Sequence, residues 1–211
     1  MPESSSNVLN PKGNAVGPLR TRRDVLSVVG NHRTVTVTGA PANDAVTLVE
    51  AKSFMRITAS TDDTRLTSLI KACQHGIESL IAQKLITQTL TLTLDQFGFL
   101  WTDLQFGPVV SVTTVTVSGT LVADTRYQLV NEGEGPVARL VDDAEGLPTP
   151  TDNFGAIVIV YATGYGGAAD VPDEIKTALL WCVQAAYDDP DATMPRISRN
   201  LLQPHLIVGR V

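Results

Sequence analysis

The chain has 211 residues, of which 43% are hydrophobic and 18% charged, as expected for a globular protein with one large domain or two small ones. Its longest apolar run, AIVIVYA at 156–162, is far too short to cross a bilayer, and its first residues lack the apolar segment of a secretory signal. We therefore expect a soluble protein that is made in the cytoplasm and has no membrane partner.

The net charge of −6 is unevenly distributed along the chain. Residues 1–33 carry five basic and two acidic side chains, so the rest of the chain has a net charge of −9. Residues 1–32 are rich in Ser, Asn, Pro and Gly and show little periodicity, which predicts a flexible basic extension. This arm either docks on a partner, through Arg20, Arg22 and Arg23, or is a solvated tail.

Two helices are predicted in the first half, after a short alternating strand, RTVTVTG at 33–39. Thr47 and Glu50 have the spacing of a capping box, which predicts a helix over 48–55. A second helix is predicted over 62–84, with Asp62 and Asp63 at its start, where carboxylates favour the helix dipole. Its apolar face has three–four spacing and consists of Leu66, Leu69, Ile70, Cys73, Ile77, Leu80 and Ile81.

The period then changes to two, which predicts an antiparallel β-rich region over about 87–161. In TQTLTLTLD the leucines at 90, 92 and 94 share one face and the threonines share the other. Four further strand candidates are VVSVTTVTVSG, TRYQLV, VARLV and AIVIVYA. Helical spacing returns over 172–188, where Pro172 suits the first helical position. The sequence therefore predicts an α+β fold, a small helical bundle with an inserted antiparallel β-rich region and extended termini.

The glycines of YATGYGGAADVPDEIK, at 161–176, raise the question of a phosphate-binding loop. Such a loop needs free N–H groups at a helix N-terminus and usually a following Gly-Lys-Ser/Thr, which is absent here. Asp170, Asp173 and Glu174 would repel a phosphate. We interpret Gly164, Gly166 and Gly167 as a turn from a strand into a helix.

No catalytic, cofactor-binding or metal-binding residue is predicted. Cys73 and Cys182 are expected to be buried core thiols, and the three histidines show no ligand spacing. The carboxylates of Asp142, Asp143 and Glu145 could bind a hard cation, but a solvated turn explains them more simply.

The two early helices also permit a helix-turn-helix interpretation, in which the protein is a DNA-binding packaging component. A recognition helix needs Arg, Lys, Asn or Gln near its N-terminus, whereas the helix over 62–84 begins with two carboxylates. Carboxylates repel a polyanion, so the sequence disfavours this alternative without removing it. A nucleotide-dependent enzyme is the other class that we consider.

The order of these elements resembles the head–tail connector, or adaptor, proteins of long-tailed bacteriophages and gene transfer agents. The resemblance lies in five segments. They are VTLVEAKSFMRI (46–57), the helix with an acidic N-terminus and the strand after it (61–95), FGPVVSVTTVTV (106–117), the glycine turn and the helix after it (158–189), and LLQPHL (201–206). It covers roughly 45–206. Residues 1–32 extend beyond the usual start of the family, and Pro204-His205 replaces an aromatic and an arginine that are common there.

The resemblance implies a structural virion protein rather than an enzyme. Such proteins form a ring, commonly of twelve subunits, in the neck beneath the portal protein, where DNA passes through without sequence-specific binding. The ring also offers a platform for the stopper and tail. In this view residues 33–190 are the connector domain with its β-rich insertion. The alternative to a connector within the same class is another neck protein, such as a stopper or tail-completion protein.

Pro195 and Pro204 should prevent the C-terminal segment from continuing the preceding helix, so 191–211 is predicted to be an extended tail. The resemblance implies that this tail docks on the portal, since family members grip the portal with an end of the chain. The alternative is a purely structural role, in which the tail folds back on the protein's own sheet. The docking side chains would be Leu201, Leu202, His205, Leu206, Ile207 and Val208.

Overall fold

Residues 33–97, 102–131, 138–142, 147–150 and 154–206 are described by the computed structural model of the protein. Within them the helices are α1 (Leu48–Met55), α2 (Asp63–Ile81), α3 (Asp173–Asp188) and α4 (Arg196–Leu202). The strands are β1 (Arg33–Gly39), β2 (Gln88–Leu94), β3 (Thr102–Leu104), β4 (Val109–Val117), β5 (Thr120–Val122), β6 (Tyr127–Asn131), β7 (Ala138–Asp142) and β8 (Ile157–Thr163). The predicted α+β class is confirmed.

Helix α1 begins at the predicted capping box. The Glu50 N–H donates to Thr47 Oγ1 over 3.2 Å, and the Thr47 N–H donates to the Glu50 carboxylate over 2.7 Å. Hydrogen bonds from the Thr47 side chain and backbone lower the pKa of Glu50, because they stabilise its charged form. The helix predicted over 48–55 is confirmed with these bounds.

Helices α1 to α4 share one hydrophobic core, with α2 and α3 at its centre. Helix α2 ends at Ile81 instead of residue 84, because Ala82 takes a left-handed conformation with φ 52° and caps the helix through Glu78 O. Ile77 is completely buried, but Leu80 is 46% exposed, so the predicted apolar face is wrong at Leu80.

The larger sheet has five antiparallel strands in the order β1-β2-β8-β4-β5. The leucines of β2 at 90, 92 and 94 face a second hydrophobic core, as predicted. A three-stranded sheet, β3-β7-β6, contributes Leu104 and Leu140 to the same core. The larger sheet also includes β1, which precedes the helices in the chain, so it is not built from the insertion at 87–161 alone.

The tail predicted as extended over 191–211 is helical over Arg196–Leu202, where α4 forms, which corrects the prediction for that part. Pro195 occupies the N-cap, where its missing N–H costs no helical hydrogen bond, and Pro204 lies in a 3-10 turn, Gln203–His205, that follows the helix. The prolines therefore lie at the two ends of a separate short helix, which does not continue α3. Leu202 is completely buried in the helical core, which explains why the segment folds back on the protein.

Candidate docking surface and its supporting junction

The glycine turn joins β8 to α3 and packs against the chain just before β2. The Gly164 N–H donates to Pro108 O and the Thr87 N–H donates to Gly166 O, both over 2.9 Å. Gly164 has φ 127°, and a Cβ there would lie 2.6 Å from backbone atoms of Ile86 and Thr87. Only glycine fits this close approach of two backbone segments.

The carboxylate of Asp170 lies in the centre of this turn. It accepts a hydrogen bond from the Gly167 N–H over 2.8 Å, and a Cβ on Gly166 would lie 2.4 Å from its Oδ2. A carboxylate of the chain itself therefore takes the position that a phosphate oxygen would need. The interpretation as a strand-to-helix turn is confirmed.

A buried ion pair lies where α2 leads towards the sheet. Lys84 Nζ donates to Glu78 Oε2 over 2.9 Å, and both side chains are less than 10% exposed. Glu78 Oε1 accepts the Leu85 N–H over 3.1 Å and the Gln74 amide over 3.3 Å, while Lys84 Nζ lies 5.0 Å from the centre of the Phe106 ring. The pair thus ties the end of α2 to the segment before β4.

A second polar contact ties the C-terminal segment to this junction. Tyr165, in the glycine turn, donates its hydroxyl hydrogen to Gln83 Oε1. The amide of Gln83 in turn donates to the backbone carbonyl of His205 over 3.4 Å. The end of the described chain is therefore held beside the sheet–helix junction.

Helix α4 packs on α3 and presents a basic outer face. The Ser198 hydroxyl is buried and donates to Ala178 O over 2.9 Å. The opposite side exposes Arg196, Ile197 and Arg199, with Ile197 45% exposed. Residues 192–206 contain no acidic side chain, so α4 itself carries only positive charge, beside the exposed apolar side chain of Ile197.

The predicted docking residues fall into three groups. Leu202 is buried in the core, whereas Leu201, His205 and Leu206 are half-buried next to it. Ile207, Val208, Arg20, Arg22 and Arg23 lie outside the described residues. Sequence reasoning missed Arg196, Ile197 and Arg199, although the three-residue spacing of the two arginines, in a stretch without acidic residues, was a usable signal.

The N-terminus of α2 is held by contacts within the protein. Asp63 forms an ion pair with Lys52 over 2.6 Å, and Asp62 accepts the Tyr187 hydroxyl over 2.7 Å. This hydrogen bond to Asp62 is the main cause of the raised pKa of Tyr187. Arg65 lies over the Tyr187 ring at 4.9 Å and donates to its carbonyl. The end that would have to read DNA is acidic and engaged in internal contacts.

The two thiols are free, and Cys182 is buried as predicted, while Cys73 is half-buried. Burial raises the pKa of Cys73 to about 11 and also raises the pKa of Cys182. Both are therefore protonated at neutral pH, which makes them poor nucleophiles. Among the described residues no group of His, Cys, Asp and Glu could hold a metal ion. Asp143 and Glu145 lie outside those residues, and so does the side chain of Asp142. Within the same ranges, no helix combines the length and apolar character needed to span a bilayer.

Residues 45–116 match the family model described as "Phage gp6-like head-tail connector protein". This match confirms the resemblance to head–tail connector proteins over α1, α2, β2, β3 and most of β4. No curated protein sequence matches the chain.

Solved structures of gene transfer agent particles contain a chain with the same fold. A chain of "Neck of empty GTA particle computed with C6 symmetry" is similar with a TM-score of 0.74 and 20% identity. Chains of "Virion of native gene transfer agent (GTA) particle" and "Neck of native GTA particle computed with C12 symmetry" have TM-scores of 0.72 and 0.67, with 22% and 21% identity. Each similarity covers 84% of this chain and 97% of the other. At these identities the likeness establishes the shared fold.

Proposed function

We propose that the protein is a structural subunit of the neck of a phage or gene transfer agent particle, a head–tail connector without enzymatic activity. The observation that carries the proposal is the fold, because 97% of a chain from a particle neck is matched with a TM-score of 0.74. The family model supports it independently, since it matches the sequence of residues 45–116. In this proposal the protein resides in the virion, at the head–tail interface.

In the assembled neck, copies of the protein form a ring beneath the portal. One structure with a similar chain was computed with C12 symmetry, which agrees with the twelve subunits common among connectors. Contacts in such a ring are heterologous, so each subunit offers two different patches to its neighbours. The net charge of −9 after residue 33 suits a channel through which DNA passes, because fixed cations would bind phosphates. The lower side of the ring receives the stopper or another tail-proximal protein.

The C-terminal segment is the proposed portal-docking element. Its basis is the outer face of α4, with Arg196, Ile197 and Arg199 exposed, followed by the half-buried His205 and Leu206. Ile207 and Val208 would continue this surface as apolar anchors. Leu202 has a structural role instead of a docking role, because its burial holds α4 on α3. Exposed arginines with an adjacent apolar side chain fit a partner surface that is acidic at its rim.

Charge reversal on α4 tests this docking. We expect the double variant Arg196→Glu/Arg199→Glu to fold normally, since both side chains are exposed, and to be lost from purified particles. Lys71→Glu, on the exposed side of α2, is the control and should enter particles as the wild type does. The amount of each variant per particle is measured by quantitative mass spectrometry.

Wild-type occupancy of the double variant would contradict docking through α4 and would transfer the role to Arg20, Arg22 and Arg23. Removal of the gene separates a connector from a DNA-binding packaging component. A connector is needed to attach tails, so DNA-filled heads without tails are expected. Failure to package DNA, with a mobility shift of DNA by the purified protein at low salt, would instead favour the DNA-binding packaging component.

A further inference from the structure

Strand β1 lies at one edge of the five-stranded sheet formed by the described residues. Strand β1 pairs with β2 on one side, and no strand among the described residues pairs with its other side. Between Thr34 and Gly39 it has no proline and no charged side chain, the usual devices that protect an edge. Thr34, Thr36 and Thr38 are exposed, and Val37 is 52% exposed.

The other edge of the same sheet is better protected. Strand β5 has three residues, and it covers β4 only at Val115–Val117. The remainder of β4 contains two register shifts against β8, between Val109 and Ser111 and between Val112 and Thr114. Bulges of this kind twist an edge and hinder regular pairing. In β1 the register is regular from Arg33 to Val37, with a single shift before Gly39.

The sequence of β1 is complementary to itself. Residues 34–38 read Thr-Val-Thr-Val-Thr, which is the same in both directions. In an antiparallel pair centred on Thr36, each valine lies opposite a valine and each threonine opposite a threonine. The threonines of both copies would then continue the face formed by Thr89, Thr91 and Thr93 of β2.

We propose that the free protein forms a two-fold dimer through its β1 edges, with Thr36 of one copy opposite Thr36 of the second. The two five-stranded sheets become one continuous antiparallel sheet of ten strands. The register shift near Thr38 limits the contact to four or five residues a side, well below the roughly 20–30 residues a side of a stable interface. The dimer is therefore weak and forms at high protein concentration.

This contact is separate from the ring that we propose for the neck. An isologous pair has no place in a cyclic ring, whose contacts are heterologous. The β1 dimer thus belongs to the unassembled pool, and the pair separates when a subunit joins a ring. Pairing in that pool covers an edge that would otherwise favour aggregation.

Disulfide trapping tests the register. Directly opposite residues in an antiparallel pair have Cα atoms about 4.5–5.5 Å apart, within disulfide range. Under copper-phenanthroline with oxygen as the electron acceptor, we expect Thr36→Cys to give a covalent dimer. The matched control is Thr34→Cys, whose two copies would be roughly 13 Å apart in this register. Wild-type protein should give no covalent dimer, because burial keeps the native thiols protonated. Absence of the Thr36→Cys dimer, or equal trapping of Thr34→Cys, would overturn the proposal.

Charge pairing gives a second test that does not need oxidation. Sedimentation equilibrium should show that wild-type protein dimerises with rising concentration, whereas Thr36→Lys and Thr36→Glu stay monomeric because like charges meet at the two-fold axis. An equimolar mixture of the two variants should restore the dimer. If both variants dimerise as the wild type does, the proposal is wrong. Entry of Thr36→Lys into particles is measured in parallel and reports on the ring alone, so the two hypotheses fail independently.

Discussion

The buried pair of Glu78 and Lys84 allows a quantitative prediction about stability. In Lys84→Met the carboxylate of Glu78 keeps the Leu85 N–H and the Gln74 amide but loses its cation, 2.9 Å away. Removal of one partner from a buried ion pair costs about 3–5 kcal/mol, because the other charge is left uncompensated. The loss of the Lys84 contact with the Phe106 ring adds roughly 0.5–1 kcal/mol.

The double variant Glu78→Gln/Lys84→Met separates the charge from the hydrogen bonds. The amide oxygen of Gln still accepts the Leu85 N–H, and no charge is buried. Replacement of a buried pair by neutral residues is often nearly neutral, so we expect the free energy of unfolding to return to within about 2 kcal/mol of wild type.

Urea denaturation with a common m-value measures these differences, and thermal unfolding supports them. For a chain of this size about 1 kcal/mol corresponds to roughly 2–4 °C in Tm, so the single variant, which loses about 3.5–6 kcal/mol in all, should lose about 7–24 °C. Lys71→Met, at an exposed site on α2, is the control and should stay within about 0.5 kcal/mol. The reasoning is refuted if Lys84→Met costs less than about 1 kcal/mol, or if the double variant is at least as unstable as Lys84→Met.

Two further stability predictions concern the junction and the helical core. Gly164→Ala should lower the free energy of unfolding by about 2–4 kcal/mol, because its Cβ would meet backbone atoms at 2.6 Å and its φ is 127°. The control is Gly76→Ala, whose Cβ would meet nothing within 4 Å and which should stabilise α2 by about 0.5–1 kcal/mol. Equal effects of the two variants in urea denaturation would contradict the assigned turn. Ile77→Asp should leave the protein insoluble, because it buries an unpaired charge. Leu80→Asp, at a side chain that is 46% exposed, is the control and should remain soluble and folded. A soluble, folded Ile77→Asp variant would show that this face of α2 is assigned wrongly.

The features that the sequence predicted best depend on local patterns. The capping box of Thr47 and Glu50 placed α1 with its exact bounds, because both hydrogen bonds form within one helical turn. The alternation of leucine and threonine in β2 likewise predicted which side chains face the core. In each case the informative pattern lies within one short stretch of the chain.

The features that were missed depend on distant contacts. Pro195 and Pro204 indicated an extended tail, but α4 forms because Leu202 enters a core made by residues far away in the chain. Leu80 has helical spacing with Ile77, yet it lies outside the surface that α3 covers, so it stays exposed. The ion pair of Glu78 with Lys84 has no local signature, because the turn at Ala82 brings the two side chains together.

Cryo-electron microscopy of purified particles tests the central claim most directly. Particles are isolated from cells that make the protein, and the neck is reconstructed with cyclic symmetry. We expect a closed ring of copies of this chain in direct contact with the portal, with α4 on the portal side. A fully reconstructed neck that contains no copy of this chain, while the protein is absent from the particles or located elsewhere in them, would contradict the account.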